Sequence, residues 1–248
     1  MQTTPAIELE DVSFAYRGVP AIEGATLSIP CGDFAAVVGP NGSGKSTLIK
    51  LALGLLTPDS GTVRLFGTEI RRYRQWHRIG YVPQVATGIH AMFPITVAEV
   101  VAQGRYGGFS PLEFWRTQRR PDVEAALQLV EMYDSRRERI GELSTGQQQR
   151  ALIARALVRK PDLLIMDEPV AGVDERHSDD VYLLLRQLNR NGMTIVMVAH
   201  DIGAVIREAR TAVCINCAIG FCGPAADIGE DELQQLFGFR LAIPPEAP

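Results

Sequence analysis

Apolar and polar side chains alternate through Ile7–Tyr16, on either side of Asp11, and again through residues 25–29. This is the period of strands with one buried face, and both are expected to be antiparallel strands. Phe34–Val38 is instead continuously apolar, as a strand covered on both faces of a parallel sheet must be. Alternation resumes over residues 61–67, after a turn at 58–61, and Ile79–Val82 makes a short strand that stops at Pro83 and Gln84. From Val85 to about Lys160 the period lengthens to that of helices, at Val97–Gln103, 111–118, 123–133 and 147–158. Residues 163–166 and 194–199 are again unbroken apolar runs with a helix over 175–189 between them; 213–221 reads as one strand and 231–237 as a closing helix. Strands and helices taken in this order predict an α/β protein with a mostly parallel sheet, helices on both its faces and an α-helical insertion. The lobes are expected at 1–84 with 160–248, carrying the strands, and at 85–159, carrying the helices.

Composition narrows the class without deciding it. With 46% hydrophobic and 22% charged residues in 248, the chain reads as an ordinary globular protein, and no run approaches the roughly 18 apolar residues of a membrane span. Residues 1–8 have neither a basic nor an apolar leader region, so export is not expected, and Cys31, Cys214, Cys217 and Cys222 are expected to be reduced thiols. A net charge of −4 gives no electrostatic reason to bind nucleic acid. Basic clusters at Arg71-Arg72-Tyr73-Arg74, Arg119-Arg120 and Arg136-Arg137-Glu138-Arg139 read as solvated surface.

The chemistry is concentrated between the strand at 34–38 and the helix that follows it. Gly39-Pro40-Asn41-Gly42-Ser43-Gly44-Lys45-Ser46 fits the phosphate-binding loop G-x-x-x-x-G-K-[ST]. Glycines there let backbone N–H groups approach phosphate oxygens, Lys45 brings a point charge to the β- and γ-phosphates, and the Ser46 hydroxyl can ligate Mg²⁺. The helix from Thr47 onward adds about half a positive charge at its start. A nucleotide triphosphate is implied; kinase, GTPase, motor and pump all remain open.

Asp167 and Glu168 end the buried strand at 163–166, where ligands of open α/β sheets bind. Asp167 is suited to hold Mg²⁺ and Glu168 to polarise the attacking water as general base. His200 ends the next buried strand and can donate to the γ-phosphate. Ser144-Thr145-Gly146-Gln147 fits a capping box, which makes Ser144 the start of a second helix able to receive an anion. Each of these features alone has a plain structural explanation. Two phosphate-binding helix starts about a hundred positions apart suggest a triphosphate held from two sides.

At this point the sequence resembles the ATP-binding-cassette (ABC) transporter ATPases along nearly its whole length. The family signature Leu-Ser-Gly-Gly-Gln stands here as Leu143-Ser144-Thr145-Gly146-Gln147, with Thr145 replacing a glycine. The resemblance implies a RecA-like P-loop core, an N-terminal antiparallel β subdomain and an α-helical signature subdomain. It implies Tyr16 stacked on adenine, Gln84 between the lobes as a catalytic residue and Mg²⁺ ligand, Asp174 at a dimer contact, and His200 as the switch histidine. It implies a head-to-tail homodimer in which the P-loop of one copy and Ser144 of the other enclose ATP. A separate integral-membrane permease, an external solute-binding protein and a place on the cytoplasmic face of the membrane follow, with no nucleic acid. The stretch Phe93-Pro94-Ile95-Thr96-Val97 with Gly104-Arg105-Tyr106 looks like the manganese, zinc and iron importer branch. Ferric-siderophore or cobalamin import is the alternative, and a non-transport ABC ATPase of DNA ends or ribosomes a further one. The coupling surface is expected at Gln84, Phe93, Val97 and 104–106, so that a charge at Val97 would stop transport while sparing basal hydrolysis. Cys214 and Cys217 are expected on opposite faces of one strand, which argues against a shared metal.

Overall fold

The computed structural model describes residues 4–84, 94–105, 121–169, 175–199, 202–229 and Gln234. The expected helices at 111–118 and, Gln234 apart, 231–237 lie outside them, as do Phe93, Tyr106, Asp174 and His200. Two compact units divide the chain, residues 1–74 with 192–248 and residues 75–191.

In the first unit β1 (Ile7–Tyr16), β2 (Val19–Ile29), β4 (Ser60–Leu65) and β5 (Thr68–Glu69) form an antiparallel sheet in the order β2-β1-β4-β5. Asp11 sits at φ 50°, and the register of β1 against β2 jumps between Leu9 and Val12. This bulge is why the alternation changes phase at Asp11 while Leu9 and Val12 both stay buried. β3 (Phe34–Val38) runs parallel to β8 (Thr194–Val198) on one side and to β9 (Thr211–Asn216) on the other. Every residue of β3 and β8 is buried, which the unbroken apolar runs required. Helix α1 (Lys45–Ala52) follows β3, and α6 (Ile202–Glu208), which the periodicity did not announce, follows β8.

Residues 213–221 are not one strand. β9 ends at Asn216 and β10 (Ala218–Pro224) returns antiparallel, with Cys217 at the bend at φ 59°. No glycine, proline or Asn-Gly pair marks this turn, because tertiary hydrogen bonds hold it: Cys217 N donates to Ser43 O and Cys217 O accepts from Glu23 N, each at 2.8 Å. The reason for keeping Cys214 and Cys217 apart therefore changes. Cys214 is buried within β9, whereas Cys217 lies at a turn, and among the described residues no cluster of His, Cys, Asp and Glu could hold a metal ion.

The second unit holds the parallel pair β6 (Ile79–Val82) and β7 (Leu163–Asp167) with α2 (Val97–Gln103), α3 (Pro121–Leu129), α4 (Thr145–Leu157) and α5 (Glu175–Arg190). α3 stops earlier than its apolar period, because Glu131 turns to φ 58° and Met132 N donates back to Leu127 O at 2.8 Å. Val130 and Met132 stay buried beyond the helix end, so the pattern outlasts the helix.

Val97 opens α2 behind a capping box made by Thr96 and Glu99, and it is fully buried with Val101, Leu127, Ile140 and Ile153. The expectation that Val97 belongs to a docking surface is corrected by that burial. Val97→Glu is predicted to destabilise the helical unit by about 3–5 kcal/mol, the cost of an unpaired charge in a core, rather than to uncouple a folded protein. Urea denaturation would test this, and an unchanged midpoint would contradict it.

Candidate nucleotide site

The phosphate loop begins where β3 runs out of apolar residues. A Cβ added to Gly39 would run into the carbonyl oxygen of Ile215 and the Ser43 hydroxyl, so the approach of β9 leaves room only for glycine. Gly44 caps α1 from φ 99°, a left-handed conformation, and a side chain there would strike the Ala21 carbonyl. No side chain caps α1. Its start therefore offers backbone N–H groups and the positive end of the helix dipole to an anion. The Lys45 ammonium is buried and donates to Gly39 O and Pro40 O at 2.8 Å each, which folds it back over the loop. Ser43 is 2% exposed, and its hydroxyl oxygen has no hydrogen-bond partner. Pro40, Asn41 and Gly42 complete the turn, with Asn41 and Gly42 exposed, and Ser46 and Thr47 open the helix. A tight loop of glycines, a folded-back lysine, an orphan hydroxyl and an uncapped helix start fit a polyphosphate.

Tyr16 lies in the same unit at the end of β1. It is 44% exposed and meets Phe14 edge to face with ring centroids 4.8 Å apart. One face of the ring is thus available to a planar ligand such as a purine.

The second unit assembles its part of the chemistry by register. β6 and β7 pair in parallel with Val82 beside Met166, so that counting two residues onward sets Gln84 beside Glu168. The Gln84 amide Nε2 donates to Glu168 Oε2 at 2.6 Å. Glu168 has φ 53°, turning the chain sharply out of β7 just after Asp167. A non-glycine residue held in this region carries strain of order 1–3 kcal/mol, and such strain clusters at functional sites. Asp167 is 5% exposed at the strand's last position. Its charge, after burial as the larger cause, pushes the Tyr81 hydroxyl above the usual tyrosine range. Sequence reading passed over Tyr81; its place three residues before Gln84 on a strand beside β7 was the available signal.

Ser144 N-caps α4. Its Oγ accepts from Gln147 N at 3.3 Å while Gln147 Oε1 accepts from Ser144 N at 3.0 Å, the reciprocal pair expected. Because Oγ acts as acceptor, the Ser144 hydroxyl proton remains for another partner. Ser144 and Thr145 are exposed and Gly146 is buried, so the methyl of Thr145 points away from the packed side of the helix. The predicted residues thus fall into local groups: Gly39–Thr47 in the first unit, which also carries Tyr16 at the end of β1, and Gln84 with Asp167 and Glu168, and Ser144–Gln147, in the second.

Comparison with known proteins agrees with this geometry. Residues 22–171 match the family described as ABC transporter. The zinc uptake system ATP-binding protein ZurA of Listeria monocytogenes is 43% identical over 223 residues, covering 88% of this chain and 86% of that protein. The manganese transport system ATP-binding protein MntB of Bacillus subtilis is 41% identical over 241 residues, covering 96% and 94%. Among solved structures, a nucleotide-free ATP-binding cassette from an ABC transporter superposes with a TM-score of 0.78 at 28% identity, covering 95% and 96%. A cassette in its ADP conformation also gives 0.78, at 27% identity and the same coverage. Given a phosphate loop, a strand-end carboxylate pair and a capped signature helix in a chain so related, this protein belongs to the ABC transporter family, as an ATPase subunit of the RecA-like α/β fold.

Proposed function

We propose that the chain is the ATP-hydrolysing subunit of an importer for a divalent metal ion, acting as a homodimer beneath a membrane-embedded permease on the cytoplasmic face. The observation that carries the hydrolytic reading is the Gln84–Glu168 hydrogen bond at the ends of β6 and β7. The cargo reading rests on relatives named for zinc uptake and manganese transport. Those names favour a metal ion over a ferric siderophore or cobalamin. Among the described residues no helix is long and apolar enough to cross a membrane, so a transport role calls for a separate permease.

In this scheme Tyr16 stacks on adenine, and the loop from Gly39 to Thr47 binds the phosphates with Lys45 on their charge. The hydroxyl of Ser46, the carboxylate of Asp167 and the amide oxygen of Gln84 are hard oxygen donors of the kind Mg²⁺ takes. Bound there, Mg²⁺ would neutralise charge on the β- and γ-phosphates. Glu168 accepts the proton of the attacking water as oxygen bonds to the γ-phosphorus and the bond to ADP breaks, and Gln84 holds that carboxylate in place. His200 donates to the γ-phosphate. Ser144, Thr145, Gly146 and Gln147 of the second copy close the site, and Asp174 lies at the dimer contact. Charged hydrogen bonds of roughly 1.5–3 kcal/mol each are comparable, summed over two sites, with the ~4–15 kcal/mol cost of docking two proteins. ATP can then decide between open and closed dimers.

Three outcomes test the chemistry. Glu168→Gln should retain ATP binding, slow hydrolysis by about 10²–10⁴-fold and elute as a dimer with MgATP; a monomer with normal turnover would refute both the base and the sandwich. Lys45→Ala should lose ATP binding in an equilibrium titration. Gln84→Ala should lower kcat by roughly 10–100-fold through loss of one charged hydrogen bond, with ATP affinity nearly kept.

The signature is tested separately. Ser144→Arg should block turnover by bulk, while Thr145→Gly should change it only modestly because the backbone N–H is common to both; normal turnover in Ser144→Arg would leave this helix start as a cap and no more. For cargo, a deletion strain should lose uptake of manganese, zinc or iron. Loss of siderophore or cobalamin uptake alone, with all three metals unaffected, would overturn the metal assignment and spare the ATPase.

A further inference from the structure

β1 runs past β4 at the end that carries Tyr16. The last residues these two strands set opposite one another are Ser13 and Ser60, and β4 begins at Ser60, so Phe14, Ala15 and Tyr16 pair with β2 alone among the described strands. The connection to β2 is a weak anchor. It is a two-residue hairpin turn at Arg17 and Gly18, with φ of 50° and 82°, and the first of these positions favours Asn, Asp or Gly over an arginine.

One residue supplies what β4 does not. Asp59, just ahead of β4, donates its N–H to Ser13 O at 2.9 Å and accepts from Ala15 N through its carboxylate Oδ2 at 2.8 Å. A side chain thus continues the ladder past the point where the strand stops. An aspartate in a turn such as Pro58-Asp59-Ser60-Gly61 ordinarily bonds backbone N–H groups of that same turn. This one reaches across 44 residues of sequence to β1. The two bonds clasp the backbone on either side of Phe14, and Phe14 is the ring that meets Tyr16 edge to face, with centroids 4.8 Å apart. Residues two apart on a strand share a face, so fixing the backbone at Ser13 and Ala15 orients both rings together.

We propose that Asp59 is a positioning residue for the base of the nucleotide, its carboxylate holding the Phe14–Tyr16 end of β1 so that the Tyr16 ring stands ready for adenine. The inference rests on the reading of Tyr16 as the adenine platform and adds the residue that sets it. Without Asp59 the strand end would lose freedom only when the base arrives, which weakens affinity without touching any phosphate contact. Asp59 also lies on the segment that leaves α1 for β4, so the helix that begins at the phosphate loop and the strand that carries the base platform are joined through it.

The test titrates the purified subunit with ATP and with inorganic tripolyphosphate, both with Mg²⁺, in the parent, Tyr16→Ala, Asp59→Ala, Asp59→Asn and the double variant Tyr16→Ala with Asp59→Ala. Tyr16→Ala should weaken ATP binding by roughly tenfold, the worth of one base–aromatic stack, and leave tripolyphosphate binding unchanged. Asp59→Ala should weaken ATP binding about fivefold through the same stack, with tripolyphosphate binding again kept. Asp59→Asn, whose amide oxygen can still accept from Ala15 N, should recover most of that loss. In the Tyr16→Ala background Asp59→Ala should lower ATP affinity no further, because the ring it positions is gone. Additive losses in the double variant would overturn the proposal. So would ATP affinity untouched by Asp59→Ala, or an equal loss for tripolyphosphate, which is what misfolding or a general loosening of the site would give. If Tyr16→Ala binds ATP like the parent, the adenine reading itself falls, and this inference with it.

Discussion

A strand buried on both faces has no place for a polar group except past its end. That constraint organises this protein. β3 is apolar through Val38, and the phosphate loop starts at the next residue; β7 is apolar through Met166, and its carboxylates are the next two. β6, whose residues alternate between buried and part-exposed, ends at Val82, and the glutamine follows after one proline. Parallel pairing then does the aligning, because strands that share a direction finish together and bring Gln84 to Glu168 with no further device. Packing and chemistry are separated along each strand, so the apolar layer can be optimised without disturbing what its ends present.

The two helix starts that frame the chemistry differ in how they treat their N–H groups. α4 closes its first turn with the reciprocal Ser144–Gln147 pair, and α2 does the same with Thr96 and Glu99. α1 has a glycine at its cap and no side-chain acceptor. A helix that caps itself satisfies part of its first turn without a ligand, whereas one left uncapped gains from an anion. The contrast assigns a stronger dependence on ligand to α1 than to the signature helix. It also explains how threonine is tolerated at position 145, where the exposed side chain is peripheral to the cap bonds.

Most of the fold was legible because its elements have clean periods. Unbroken runs marked β3, β7 and β8, and the spacing of Val97, Val100 and Val101 marked α2. What escaped was set by tertiary contact. The bend at Cys217 lacks turn chemistry because the phosphate loop and β2 hold it, and α3 stops before its apolar period does because Glu131 reverses the chain. Val97 looked like surface for the opposite reason: a resemblance pointed to the neighbourhood, but which residues of α2 face outward is decided by packing on α4. Within the site, residue types announced Lys45, Asp167 and Glu168, whereas the partnership of Gln84 with Glu168 needed the register.

The hydrogen bonds at Cys217 bear on how the chain is made. Synthesis runs from the N-terminus, so the Gly39–Thr47 segment leaves the ribosome early, yet the groups that shape it, the Ile215 carbonyl beside Gly39 and the Cys217 N–H on Ser43, are among the last of the strands to emerge. β3 likewise waits for both of its neighbours, β8 and β9. A nascent chain therefore lacks a finished phosphate loop until β9 and the bend at Cys217 have been made. Products truncated before β9 would lack both of the backbone groups that confine the loop at Gly39 and Ser43.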